Sequence, residues 1–149
     1  MTQKDKELLL KDLCGRLPYG VKAKYYDPEA ERTTCDEIDD IYNTTSIDHV
    51  EVGIGQYGLH LTEVKPYLFP ISSMTEEQYR EFYNIFPNSM HFSHTTRNEL
   101  VIYTDPEYDC DHAFESFVEM QDWLNSHHFD YRGLIGKSLA LDATGLNVY

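Results

Sequence analysis

Residues 47–64 read IDHVEVGIGQYGLHLTEV, and this run decides the fold. Val50, Val52 and Ile54, led in by Ile47, keep the two-residue period of a half-buried strand. Gly53, Gly55 and Gly58 surround the apex of a predicted hairpin, which returns through Leu59, Leu61 and Val64. The same glycines satisfy the bare G-x-G-x-x-G spacing of a dinucleotide loop. That chemistry needs a helix N-terminus to meet the phosphates, whereas Leu59, His60 and Leu61 continue as strand.

Toward the N-terminus, Leu9, Leu10, Leu13 and Leu17 predict a helix from about Lys4 to Cys14, with Gly15 as its stop and Pro18 barring continuation. Tyr19 to Tyr26 sets Val21, Ala23 and Tyr25 against Lys22 and Lys24, a strand ended by Asp27-Pro28. Between Glu29 and the hairpin the apolar residues Cys35, Ile38 and Ile41 are irregularly spaced and predict one further strand. On the other side, KPYLFP (65–70) carries two prolines, which remove donors and restrict their predecessors, and it is read as neither helix nor central strand.

Thr75 and Gln78 form a capping box, with Met74 and Tyr79 placed as a hydrophobic staple. Tyr79, Phe82, Tyr83 and Phe86 then occupy i, i+3, i+4 and i+7, an aromatic helix face stopped by Pro87. Leu100 to Tyr103 predicts a buried strand, His112 to His127 a third helix, and Asp130 to Ala140 a short final helix weakened by Gly133 and Gly136. Together these elements predict an α+β fold: a small antiparallel, partly curled β-sheet packed with about three helices, in a single domain spanning 1–149.

The chain has 12 basic and 26 acidic side chains, a net charge of −14. Phosphate contact depends on Lys and Arg, so direct nucleic-acid binding and attachment to an anionic membrane are not expected. The excess is uneven: residues 27–51 carry nine acids and one base, and 99–130 carry nine acids and no Lys or Arg. Should the two blocks share a face, the field would suit a protein with a basic surface or imitate a phosphate backbone; the plain alternative is a solvated acidic surface. Asp36, Glu37, Asp39 and Asp40 in the first block, with Asp105, Glu107, Asp109 and Asp111 in the second, are the candidate partner-binding residues. The N-terminal apolar run, Leu8 to Leu10, is too short for a signal peptide or membrane span, and three cysteines without a C-x-x-C pair fit reduced thiols in a cytoplasm.

Motifs for chemistry are sparse. The acids from Asp105 to Asp111 fail as a calcium loop, which would need Gly at Cys110 and Glu at Ser116. His91 and His94 lie in a loop-like stretch, and His127 and His128 diverge on a helix, so no metal site is read and no cofactor is expected. No catalytic residue is assigned: no G-x-S-x-G occurs, and Cys14 sits at the wrong end of its helix for an activated thiolate. The closing block has two readings. Trp123, Leu124, Phe129, Tyr131, Leu134 and Ile135 form a packing clasp, or His127, His128, Asp130 and Arg132 form a ligand site on an aromatic floor.

Three segments, LLLKDLCGRLPYGVK (8–22), VKPYLFPISSMTEEQ (64–78) and WLNSHHFDYRGLIGKSLAL (123–141), resemble an uncharacterised family of small proteins from gut Bacteroidales and their phages or mobile elements. The resemblance brings no activity, cofactor or catalytic residue. It implies a bacterial host cytoplasm and a product acting by binding. The leading expectation is thus a small acidic non-enzymatic protein-binding domain that inhibits a host protein, with nucleic-acid mimicry as one means. An enzyme or small-ligand binder using the closing block is the alternative, and a homo-oligomeric structural component the second alternative; oligomeric state is not legible here.

Overall fold

A computed structural model describes residues 1–43, 45–86 and 110–149, the side chains of 110–116 excepted. The strand expected at 100–103, His91 and His94, and the acids Asp105, Glu107 and Asp109 lie outside the described residues, as does the side chain of Asp111. The fold is α+β, and the chain divides into two compact units, 1–68 with 132–149, and 69–131.

The first unit opens with α1 (Gln3–Arg16), started by a reciprocal box: Asp5 N–H donates to Thr2 Oγ1 at 3.2 Å and Thr2 N–H donates to Asp5 Oδ2 at 2.9 Å. Gly15 does not stop it; the helix runs one residue further and Leu17 caps it. Its buried stripe is Leu9, Asp12, Leu13 and Arg16, at i, i+3, i+4 and i+7, so two of the four inward residues are charged. Asp12 takes Arg16 in a two-pronged bond (Nε–Oδ2 2.7 Å, Nη2–Oδ1 3.1 Å), and Arg132 Nε lies 3.3 Å from Asp12 Oδ1.

Seven strands follow among the described residues: β1 (Lys22–Asp27), β2 (Arg32–Glu37), β3 (Asp40–Tyr42), β4 (Glu51–Ile54), β5 (Tyr57–His60), β6 (Lys65–Leu68) and β7 (Leu141–Asp142). They form a four-stranded sheet in the order β2-β1-β6-β7 and a three-stranded sheet β3-β4-β5, neither closed into a barrel. All pairings are antiparallel except β6 with β7. The predicted hairpin is β4–β5, with Ile54 opposite Tyr57; Gly55, at φ +59°, takes the turn position that favours glycine, while the region from Ile47 to His49 is a 3-10 turn. Leu9, Leu13, Val21, Val50, Val52, Ile54, Leu61 and Leu68 are all fully buried in one core.

Residues 65–68 correct the expectation drawn from the prolines, because β6 lies between β1 and β7. The ladder explains how. Ile38 N–H donates to Val21 O, so alternation turns the backbone groups of Ala23 toward β2 and makes Ala23–Pro66 a non-hydrogen-bonded pair. Pro66 N therefore points away from β1, and β7 joins only at Tyr67 and Leu68, so neither neighbour calls on the missing N–H. The final helix expected at 130–140 is replaced by turns, in which Gly133 and Ser138 take left-handed backbone angles (φ +70° and +60°) that a right-handed helix does not contain.

The second unit holds α2 (Glu76–Ile85) and α3 (Cys110–Ser126). The capping box at α2 is present with both bonds, Gln78 N–H to Thr75 Oγ1 at 3.2 Å and Thr75 N–H to Gln78 Oε1 at 3.0 Å. Of the aromatic face, Phe82 and Phe86 are buried and Tyr83 is exposed. They pack with Met120, Trp123, Leu124 and Phe129, and the Phe82 and Trp123 ring centroids are 4.9 Å apart.

Candidate functional site

The acids of the first block lie along one bent stretch of chain, from β2 through Ile38 and Asp39 into β3. On the β2 side, Ile38 N–H reaches Val21 O; one residue later, Asp39 N–H reaches Gly53 O, although Gly53 is already the ladder partner of Asp40. Two residues thus face one, which is a β-bulge. Its effect can be read in the core: Ile38 is buried and Ile41 also packs inward, although they are three apart and strict alternation would send them to opposite faces. The bulge resets the alternation and turns Asp40 and Tyr42 outward.

Asp39 has a structural task. Its Oδ2 accepts the Gly55 N–H at 2.6 Å, tying the hairpin turn to the bulge. Asp36 Oδ1 accepts the N–H of Glu37 at 2.9 Å, and the Glu37 carboxylate lies against Gly20. All four candidate acids of this block remain exposed. The solvent face of β3-β4-β5 carries Asp40, Tyr42, Glu51 and His60 around the facing pair Gly53 and Gly58. A Cβ on Gly53 would lie 1.9 Å from Asp40 Oδ1 and one on Gly58 2.0 Å from the Tyr42 hydroxyl, so the glycines are what let these side chains lie flat across the sheet. Burial pushes the Tyr42 phenol up, and its hydrogen bond to Glu51 adds to the shift. His60 is fixed beside them, with Nε2 2.7 Å from Asp48 O and Nδ1 2.9 Å from Thr62 Oγ1. Asp48 is paired with Lys6 at 2.6 Å, which holds its carboxyl below the usual range. Tyr42, Glu51 and His60 were not singled out as site residues from the sequence; the signal was the two glycines facing each other across the hairpin.

Residues of the closing block are occupied in ending α3. His128 N–H donates to Asn125 O at 3.0 Å and Phe129 N–H to Leu124 O at 2.9 Å, with His128 at φ +57°. This is the Schellman arrangement, completed by the contact between Phe129 and Leu124, with histidine where glycine is usual. The His127 ring stacks on Trp123 (centroids 3.9 Å, 23° between planes), and its Nδ1 lies 2.9 Å from Trp123 O. The backbones of His128 and Asp130 bracket Phe69: Phe69 N–H donates to His128 O at 2.9 Å, and Asp130 N–H donates to Phe69 O at 2.7 Å. Arg132 belongs to the first unit, where it faces Asp12.

The thiols of Cys14 and Cys35 are free and surface-exposed, and partial burial pushes both up from their ordinary range. Among the described residues no three His, Cys, Asp or Glu side chains come together in a group able to hold a metal ion, and no helix is long and apolar enough to cross a membrane. No family model, curated protein or solved structure matches the chain.

Proposed function

We propose that this chain is a small acidic, non-enzymatic binding protein of phage or mobile-element type. In a bacterial cytoplasm it engages a host protein through that protein's basic surface and inhibits it by occupying a site made for nucleic acid. The observation that carries this reading is the concentration of nine acids against one base in residues 27–51, with Asp36, Glu37, Asp39 and Asp40 exposed on a single bent stretch. A field of one sign on a rigid sheet raises the encounter rate with an opposite surface and rejects like-charged partners.

The test is a triple charge reversal, Asp36→Lys, Glu37→Lys and Asp40→Lys, with Asp39 left in place because it holds the hairpin turn. Affinity capture from a Bacteroidales extract is compared for the parent and the variant at low and high salt. The parent is expected to retain a defined partner at low salt and release it at high salt, and the variant to retain none. Equal capture by both proteins refutes the reading.

A further inference from the structure

We infer that the open edge of β2 binds an extended basic segment of the partner by strand addition, an inference that rests on the proposed binding of a basic protein. β2 is the outermost strand of its sheet, with β1 as its one neighbour. Because Ile38 N–H points to β1, so do the backbone groups of Asp36, Thr34 and Arg32, and those of Thr33, Cys35 and Glu37 point outward. The outward Glu37 N–H is already taken by Asp36. Among the described residues, the outward groups of Thr33 and Cys35 make no hydrogen bond, so they present the start of an unfilled ladder.

Three observations describe the occupant. The edge is uncovered on both sides, since every β2 residue except Thr34 is exposed. Its surroundings are acidic: Glu29 and Glu31 lie in the preceding turn, Asp36 and Glu37 on the strand, and Asp39 and Asp40 at the bulge, against Arg32 on the strand and Lys22 and Lys24 on β1, of which Lys24, opposite Cys35, lies on the other face from Asp36. Lys22 faces Glu37 across the ladder, but its ammonium is held by Val148 O at 2.8 Å and its neighbour Asp36 faces Ala23 instead. A second copy would bring the same acids to the same edge, whereas lysine or arginine would match them. The ladder then dictates the spacing. Thr34 and Asp36 share a face, and in an added antiparallel strand both become non-hydrogen-bonded pairs, where side chains approach most closely. The segment therefore carries Lys or Arg opposite Asp36 and, two residues on, a β-branched residue opposite Thr34: the pattern is [Lys/Arg]-x-[Val/Ile/Thr].

The probe is a blocked peptide, Thr-Lys-Thr-Val-Thr, titrated into the full chain while amide hydrogen exchange is followed residue by residue. Binding is expected to slow exchange at Thr33 and Cys35. N-methylation of the peptide amides that face β2 is expected to weaken binding by about tenfold or more, since each lost backbone hydrogen bond removes a net contribution of this order. Exchange of Lys for Glu is expected to abolish it. Thr33→Pro removes one outward N–H without touching the β1 ladder, and is expected to weaken the peptide while β1 amides keep their protection. Equal affinity of the methylated and parent peptides overturns strand addition and leaves charge-driven binding standing. Polylysine binding without peptide binding does the same, and failure of both removes the two readings together. Protection of Thr33 and Cys35 that grows with protein concentration in the absence of peptide overturns the basic occupant in favour of a second copy.

Discussion

The two units settle the same problem with different materials. The first closes on Leu, Val and Ile from α1, from turns and from strands no longer than six residues, and it sinks the carboxylate of Asp12 and the guanidinium of Arg16 completely. In the second, Phe82, Phe86, Trp123 and Phe129 are joined by Met120 and Leu124. Short strands bury little area each and slip easily, so their register needs directional bonds. Asp39 to Gly55 and Asp27 to the β1–β2 turn supply them, while Asp12 and Arg16 pair within the buried stripe of α1. An aromatic ring removes a large area from water, roughly 150 to 250 Å², and holds neighbours by shape, so two helices need fewer such bonds. Polar precision and ring area are thus alternative ways to one defined packing.

The largest effects test this contrast, one in each unit. Asp12→Leu leaves Arg16 buried without its carboxylate and should cost about 3–5 kcal/mol, the range for breaking one side of a buried ion pair. Amide exchange across the first unit reads it, and a cost under about 1 kcal/mol would mean that the ion pair contributes little to that unit's stability. Phe82→Ala should cost a similar amount, about 3–5 kcal/mol, through cavity formation alone. Its readout is the fluorescence of Trp123, the one tryptophan in the chain, whose ring lies against Phe82. A loss no larger than that of a surface substitution would show that the ring cluster is loosely packed.

A smaller effect sharpens the polar side of the comparison. Asp27 Oδ1 accepts the N–H groups of Ala30 at 3.0 Å and Glu29 at 2.9 Å and the hydroxyl of Tyr57 at 3.0 Å. These bonds, the Ala30 amide foremost, hold its carboxyl below the usual range. A depressed folded-state pKa means that the unfolded chain binds the proton first, so the contribution is complete above the unfolded value and is lost as pH falls through the folded one. Asp27→Asn should therefore lower the urea midpoint slightly at neutral pH, and the gap to the parent should close in acid. A gap that persists below both values would assign the loss to something other than the carboxylate.

What could be read in advance depended on whether a residue was doing what its type usually does. The Thr75 box and the β4–β5 hairpin follow local rules and were legible. The buried stripe of α1 was not, because a search for apolar periodicity passes over Asp12 and Arg16, whose spacing is nevertheless that of the face. Pro66 excluded a strand until the ladder showed on which side its nitrogen falls. His128 gave no stop signal where glycine would have. Of the candidate site, the acids were visible as composition, but the face Asp40 shares with Tyr42 and Glu51 depends on the extra residue at Asp39–Asp40, which only pairing reveals.

That extra residue behaves like a frameshift written in side chains instead of codons. Downstream of it, every choice of inside or outside in β3 is read one step out of phase with β2. Deleting either Asp39 or Asp40 would leave Ile38 and Ile41 two apart, where plain alternation keeps both inward without a bulge, whereas adding a residue there would turn Ile41 to water and Tyr42 toward the core, so the position tolerates a lost residue better than a gained one.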